Sequence, residues 1–312
     1  MNFPFNVARG REFDVGGFGT NAVDFLIRVP RYPEFDSKVE LEDYSQLAGG
    51  EIASAMVGLQ RLGLRTCYAG RFGRDAAGDF GLQTLRDEGV EVSLAEQIDG
   101  ATTQIAFIVI DAATGERTVI WKRDARLSYT AEEAPVDVVR RASVLHCTPH
   151  DTRACIRLAE EAKRAGTIVS IDLDNIFPGV EELLPLVDVL VASADLPGRL
   201  LGIGNTDEAL RAMNERYGSA VIGITLGDAG SLLFCNGEFI RTPGFAVPGG
   251  CKDTTGAGDS FRAGLLFGLV TGETVEDSAR IANAVASLKC RAVGARTSLP
   301  YPEELTTLLL NR

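Results

Sequence analysis

Residues 252–261 read KDTTGAGDSF, and within them Gly256, Ala257, Gly258 and Asp259 have the types and spacing to do chemistry. The two glycines let backbone N–H groups turn toward one point. A helix beginning near Asp259 adds the positive end of its dipole there, so the segment suits an anion, most naturally a phosphate. A carboxylate in such a place is electrostatically misplaced unless it has a task. Asp259 can take the proton of a substrate hydroxyl while the loop amides hold a transferring phosphoryl group, which is what phosphoryl transfer to an alcohol requires. The plainer alternative is an Asp that caps the helix. A bare GxGD would favour that alternative; the longer DTTGAGDSF is far more specific.

Other stretches offer binding groups. Thr225-Leu-Gly-Asp-Ala-Gly230 follows a buried strand, and a loop in that position lies at the carboxyl edge of a sheet, where α/β proteins bind ligands. Gly49-Gly50 stands between a strand and a helix, where paired glycines admit a ligand close to the backbone or simply make a tight turn. Asp24 in GTNAVDFLIRV could accept hydrogen bonds from vicinal hydroxyls, as a polyol would need. Residues 16–22, GGFGTNA, fit the loose GxGxxA dinucleotide pattern, but Pro30 and Pro33 leave no room for the helix that pattern requires. No Gly-Lys dipeptide occurs anywhere, which excludes a P-loop nucleotidase.

The elements that must hold these residues are legible in outline. FDVGGFG at 13–19 reads as a short strand, SKVELEDY at 38–44 as a strand with one wet face, and Ile52, Met56, Leu59 and Leu62 as one face of a helix stopped by Gly63. TTQIAFIVI at 102–110 and RTVIW at 117–121 predict a hairpin around a glycine-containing loop, with Trp121, Lys122 and Arg123 on its rim. From residue 143 strands alternate with helices, Asp151 and Thr206 being the expected caps of two of them. The near-continuous apolar strands indicate a parallel sheet covered on both faces. SLLFCNGEFIRT is a second hairpin turning at Asn236-Gly237, and helices over roughly 258–271 and 275–292 close the chain. The β-rich pieces that interrupt this rhythm, about 38–47 and 100–125, predict a small sheet projecting from the main body.

Composition narrows the function classes. The chain has 312 residues, 45% hydrophobic and 24% charged, enough for a large core. A net charge of −12 argues against a nucleic-acid surface, and no run of apolar residues is long enough to span a membrane. Six scattered cysteines read as reduced thiols of a cytoplasmic protein, and two histidines rule out a histidine-rich metal site.

DTTGAGDSFRAG resembles the C-terminal signature of the ribokinase-like (PfkB) carbohydrate kinases, and the likeness extends over nearly the whole chain. It implies an α/β fold: a single ribokinase-like domain over 1–312, a three-layer sandwich with a central, mainly parallel sheet and a small β lid. The activity it implies is transfer of the γ-phosphoryl group of ATP, with Mg2+, to a primary hydroxyl of a monosaccharide or sugar derivative. A nucleoside kinase of the same family is the alternative, and a non-catalytic sugar or nucleotide sensor on the same scaffold is the rival from another class. By this resemblance Asp259 is the base, and the amides of Gly256, Ala257 and Gly258 form the anion hole. Asp24, Gly49, Gly50, Ser54 (where the family carries an Asn) and Arg123 face the sugar. Thr225, Gly227, Gly230 and Asn283 face the nucleotide. Asp253, Gly294 and Ser298 match a monovalent-cation site, implying K+. Ser193-Ala-Asp-Leu196 stands where many members carry Asn-x-x-Glu, leaving Asp195 to act on magnesium through water; ketohexokinase-like members share that departure. Exposed lid edges imply a homodimer paired through the lids.

Overall fold

The computed structural model describes residues 1–114 and 116–310. In the first half, β1 (Phe13–Phe18) is followed by β2 (Ala22–Val29), β3 (Asp43–Gly49), α1 (Glu51–Arg61), β4 (Thr66–Ala69), β5 (Arg71–Gly73), α2 (Ala76–Asp87) and β6 (Glu96–Ile98), then by the hairpin of β7 (Ile105–Asp111) and β8 (Arg117–Lys122). The second half runs α3 (Asp137–Arg141), β9 (Ala142–Cys147), α4 (Thr152–Ala165), β10 (Ile168–Leu173), α5 (Val180–Leu183), β11 (Val189–Ser193), α6 (Leu196–Leu201), α7 (Thr206–Tyr217) and β12 (Val221–Thr225). The hairpin of β13 (Ser231–Cys235) and β14 (Glu238–Thr242) and the helices α8 (Ala257–Thr271), α9 (Val275–Lys289) and α10 (Pro302–Leu310) complete it.

The main sheet has eight strands in the order β14-β13-β12-β11-β10-β9-β1-β4. Strands β4 to β12 of that order pair in parallel, and β13 and β14 add an antiparallel edge. All its strands but the edge strand β14 are buried on both faces, as their apolar runs require. One face packs on α3, α4, α5 and α7 through Val138, Leu158, Leu183, Leu210 and Met213. The other packs on α1, α2, α8 and α9 through Met56, Leu85, Phe261, Leu265 and Ala279. This is a three-layer α/β sandwich, as the resemblance implies, with a second sheet beside it.

That second sheet is four-stranded, β3-β2-β7-β8, and forms the lid. Its alternation sets two faces. Asp24 and Leu26 of β2 lie in register with Ala106 and Ile108 of β7, and Trp121 of β8 lies opposite Ala106, so all share one face. Phe25, Phe107 and Ile120 share the other.

Several boundaries differ from the sequence reading. Residues 38–42 are irregular, and the strand expected at 38–44 starts at Asp43. The lid's central strand, β2, comes from 22–29, outside the two segments expected to build it. Its run AVDFLIRV is too apolar to show a period of two. Asn205, not Thr206, caps α7 by accepting from the N–H of Glu208. Asp151 makes no cap hydrogen bond because its carboxylate is taken by Arg123. The last long helix stops at Lys289 rather than near 292. Asn236 and Gly237 turn the β13–β14 hairpin with φ of 49° and 82°, the left-handed pair that the NG dipeptide predicts. Gly115, the glycine of the expected lid-hairpin loop, lies outside the described residues. Among the described residues no helix is long and apolar enough to cross a membrane.

Candidate active site

The carboxyl ends of β1, β9, β10, β11 and β12 open on one edge of the main sheet, and α1 and α8 begin beside it. Gly256 is the N-cap of α8 with φ 78°, and a Cβ there would meet the Ala295 carbonyl oxygen at 2.9 Å, so only glycine takes the position without strain. The helix it opens is 15 residues long, and its dipole points at the loop. The expected three-amide hole is corrected at Ala257, whose N–H is already spent on the Thr254 carbonyl at 3.1 Å because that bond closes the turn. The amides of Gly256 and Gly258 carry no such bond.

Asp259 is half-buried at this mouth and accepts no hydrogen bond from the described residues. Burial, and then the charge of Glu51, push its carboxyl up to about 7. Three residues on, Arg262 is 5% exposed and sits 2.6 Å from Asp172 of β10, also donating to the Val191 carbonyl at 3.0 Å. Burial drives the Asp172 carboxyl well above the usual carboxylate range, with Arg262 opposing. Arg262 thus ties the start of α8 to the strands carrying the sheet edge.

Glu51, the first residue of α1, is a functional candidate absent from the residues singled out in the sequence. It accepts from Thr20 at 3.0 Å and lies 3.5 Å from His150 Nε2. Burial works to raise its carboxyl, yet the hydrogen bonds from His150 and Thr20 bring it below the ordinary value. Asp174, at the end of β10, is raised by burial and by Glu51. The cleft floor is therefore acidic around Asp259.

Asp24 is 6% exposed and faces this cleft from the lid; burial lifts its carboxyl to about 6, Arg296 opposing. A Cβ at Gly49 would meet Asp24 Oδ2 at 2.2 Å, and one at Gly50, where φ is 90°, would meet Asn21 Cα at 2.3 Å. The glycine pair is thus required by the lid acid and by the β1–β2 turn. Arg296 is buried, and the charges of both Asp24 and Asp259 act on it. It donates to the Gly49 carbonyl and, at 3.2 Å, to Ser54 Oγ. Ser54, expected at the sugar, is 1% exposed and turned inward on Arg296, because the short side chain cannot reach out of the helix packing.

Arg123 likewise is closed on the chain itself: its guanidinium is bidentate on Asp151 at 2.8 and 3.2 Å and also donates to Ser128. Thr225 ends β12, and Gly227 and Gly230 follow it with φ of 61° and 102°. Asn283 of α9 is buried and donates to Oγ of Ser231, the residue paired with Thr225, at 2.9 Å. Asp195 is exposed and held by Arg199 at 3.1 Å and Ser193 at 3.2 Å, where Arg199 keeps its carboxyl low. A groove of about 640 Å³ lies away from all these groups, between the N-terminal segment and the end of α8; of its two acids, Asp14 and Glu273, Asp14 is paired with Arg65.

Asp253 begins the 253–258 loop. Its Oδ1 accepts from Thr255 and from Arg117 of the lid at 2.8 Å, and its Oδ2 accepts from the Gly294 N–H at 2.8 Å. Ser298 Oγ donates to the Lys289 carbonyl. Asp253, Gly294 and Ser298 therefore do meet, but around Lys289, whose Nζ donates to the Asp253 carbonyl at 2.8 Å. The oxygens here are already taken by N–H and O–H donors, the Lys289 ammonium among them, so the expected potassium site does not fit the residues present.

Comparison with known proteins gives the same fold and the family the sequence resembles. The description "pfkB family carbohydrate kinase" matches residues 18–302. The chain is 30% identical to fructokinase-1 of Zea mays, covering 97% of this chain and 99% of that one. It is 27% identical to a nucleoside kinase of Methanothermobacter thermautotrophicus, with 92% of each covered. Among solved structures, Arabidopsis thaliana ribokinase complexed with ribose and ATP superposes with a TM-score of 0.85 at 25% identity, over 95% of this chain and 98% of that one. The chain therefore belongs to the pfkB family of carbohydrate kinases.

Proposed function

We propose that this kinase transfers the γ-phosphoryl group of ATP to a primary hydroxyl of a neutral, hydroxyl-rich sugar. The observation that carries the reading is Asp259, without a hydrogen-bond donor, beside the free amides of Gly256 and Gly258 at the start of α8. Asp259 takes the alcohol proton as the oxygen attacks, and the two amides with the helix dipole hold the charge spreading over the phosphoryl oxygens. A carboxyl near 7 suits a base that works at neutral pH.

Asp24 is the group we assign to vicinal hydroxyls, with the Gly49-Gly50 backbone beside it. Glu51 and Asp174 make the floor unfavourable to a carboxylate or phosphate on the acceptor, and Arg123, committed to Asp151, offers no relief. Nucleotide runs along Thr225, Gly227 and Gly230; open space at the Cβ position of Gly227 leaves its backbone approachable, while Gly230 packs tightly on the backbone of residues 242–244. Among the described residues no group of three or more His, Cys, Asp or Glu gathers to hold a metal. Magnesium would come with the nucleotide phosphates, where it would neutralise charge, and Asp195 or Asp174 would be the residues to approach it through water. Six free thiols suit a reducing, cytoplasmic setting.

The test is ADP release from Mg-ATP over a panel of ketoses, aldoses, sugar acids, sugar phosphates and nucleosides. Turnover is expected with a neutral sugar and little with the anionic ones. Preference for a nucleoside would move the substrate to the family's other branch. Ligand-induced thermal shifts without turnover on any compound would contradict catalysis and leave a sensor.

A further inference from the structure

A lysine stands where the family likeness implies a potassium ion. Lys289, the last residue of α9, is 0% exposed, and its ammonium donates to the Asp253 carbonyl at 2.8 Å with Asp253 Oδ2 3.9 Å away. The surrounding bonds fix it there. Ser298 holds the Lys289 carbonyl, Gly294 donates its N–H to Asp253 Oδ2, and the N–H of Lys252 donates to the Cys290 carbonyl at 2.8 Å. Arg117 reaches in from the lid to Asp253 Oδ1. One carboxylate thus faces two fixed cations. A potassium ion would add a third positive charge within a few ångströms, lose its own hydration, and meet an N–H where it needs an oxygen.

An ammonium is a compact cation with three donors, able to organise carbonyl oxygens much as a monovalent ion does. Here it grips the first carbonyl of the loop that presents the Gly256 and Gly258 amides, and its charge also reaches Asp259. We propose that the Lys289 ammonium is the resident monovalent cation of this enzyme, holding the anion-hole loop in place and making catalysis independent of potassium. The activity arm of the test below rests on the kinase reading; the melting arm does not.

Thermal melting, and ADP release with Mg-ATP and the best sugar, are compared in choline, sodium and potassium chloride at equal ionic strength. For the native protein, melting temperatures should agree within about 1 °C and turnover within about twofold, since no binding linkage to potassium exists. Lys289→Ala empties the position. In choline its turnover should fall by about 10². Potassium or ammonium should raise its melting temperature by several degrees and restore turnover by about tenfold, whereas choline should not. A native protein stabilised or stimulated severalfold by potassium over choline overturns the proposal. A folded Lys289→Ala protein that potassium neither stabilises nor reactivates overturns it too. If Lys289→Ala folds only in potassium or ammonium, the proposal stands; if it folds in no salt, the native comparison decides alone. Should no sugar be turned over, the melting arm still reads the cation site, so failure of the kinase reading and failure of this one are separate results.

Discussion

Asp259 owes its proton affinity to two causes that act together, burial at the mouth of α8 and the negative charge of Glu51. A base works only when ionised, so kcat/KM should rise with pH through an acid limb near 7. Glu51→Gln removes a like charge and makes ionisation of Asp259 easier, moving that limb to lower pH by about one unit. A limb that stays in place or moves upward would show that Glu51 does not set the base. At this scale the sequence was informative wherever the chemistry is local: Gly256, Gly258 and Asp259 lie within four consecutive residues. It was silent wherever a partner arrives from far along the chain. Lys289 meets Asp253 across 36 residues and Arg117 meets it across 136, and nothing in either neighbourhood marks the pairing. Ala257 shows the converse limit, since a motif names an amide without saying that its hydrogen is already spent.

Among the elements, the lid carries a consequence of its own. Its outer face stacks Phe25 on Phe107 at 5.3 Å and on Tyr44 at 6.2 Å, with Phe107, Tyr44 and Ile120 41, 51 and 56% exposed. A contiguous aromatic face of this kind on a sheet with open edges suits burial against a second copy. We propose a homodimer paired through the lids. Light scattering at micromolar concentration should find a dimer that Phe107→Glu converts to a monomer without loss of the melting transition. A native monomer, or a dimer untouched by the substitution, would contradict this. The lid also shows why element boundaries escaped the sequence. The strands of the main sheet announced themselves as apolar runs between amphipathic helices. β2 is equally apolar but belongs to the other sheet, and only pairing with β3 and β7 assigns it there.

For the whole molecule, the two acids given to the sugar reaction come from different parts. Asp24 rides on the lid and Asp259 on the body, with Arg296 sensing both and Arg117 tying the lid to the Asp253 loop. Under the proposed function the sheet edge, the lid face and the start of α8 work as one cleft. The family pattern conveyed this architecture from one long motif, while the acidity of the cleft floor emerged only when α1 and β10 were brought to the same edge. The central claim is that Asp259 takes the proton while the neighbouring amides hold the phosphoryl group. Its most direct measurement is turnover and ATP affinity of Asp259→Asn side by side. Turnover should fall by about 10²–10⁴ or more from lost proton transfer, with the dissociation constant for ATP nearly unchanged. Near-native turnover, or loss of ATP binding together with the melting transition, would contradict it.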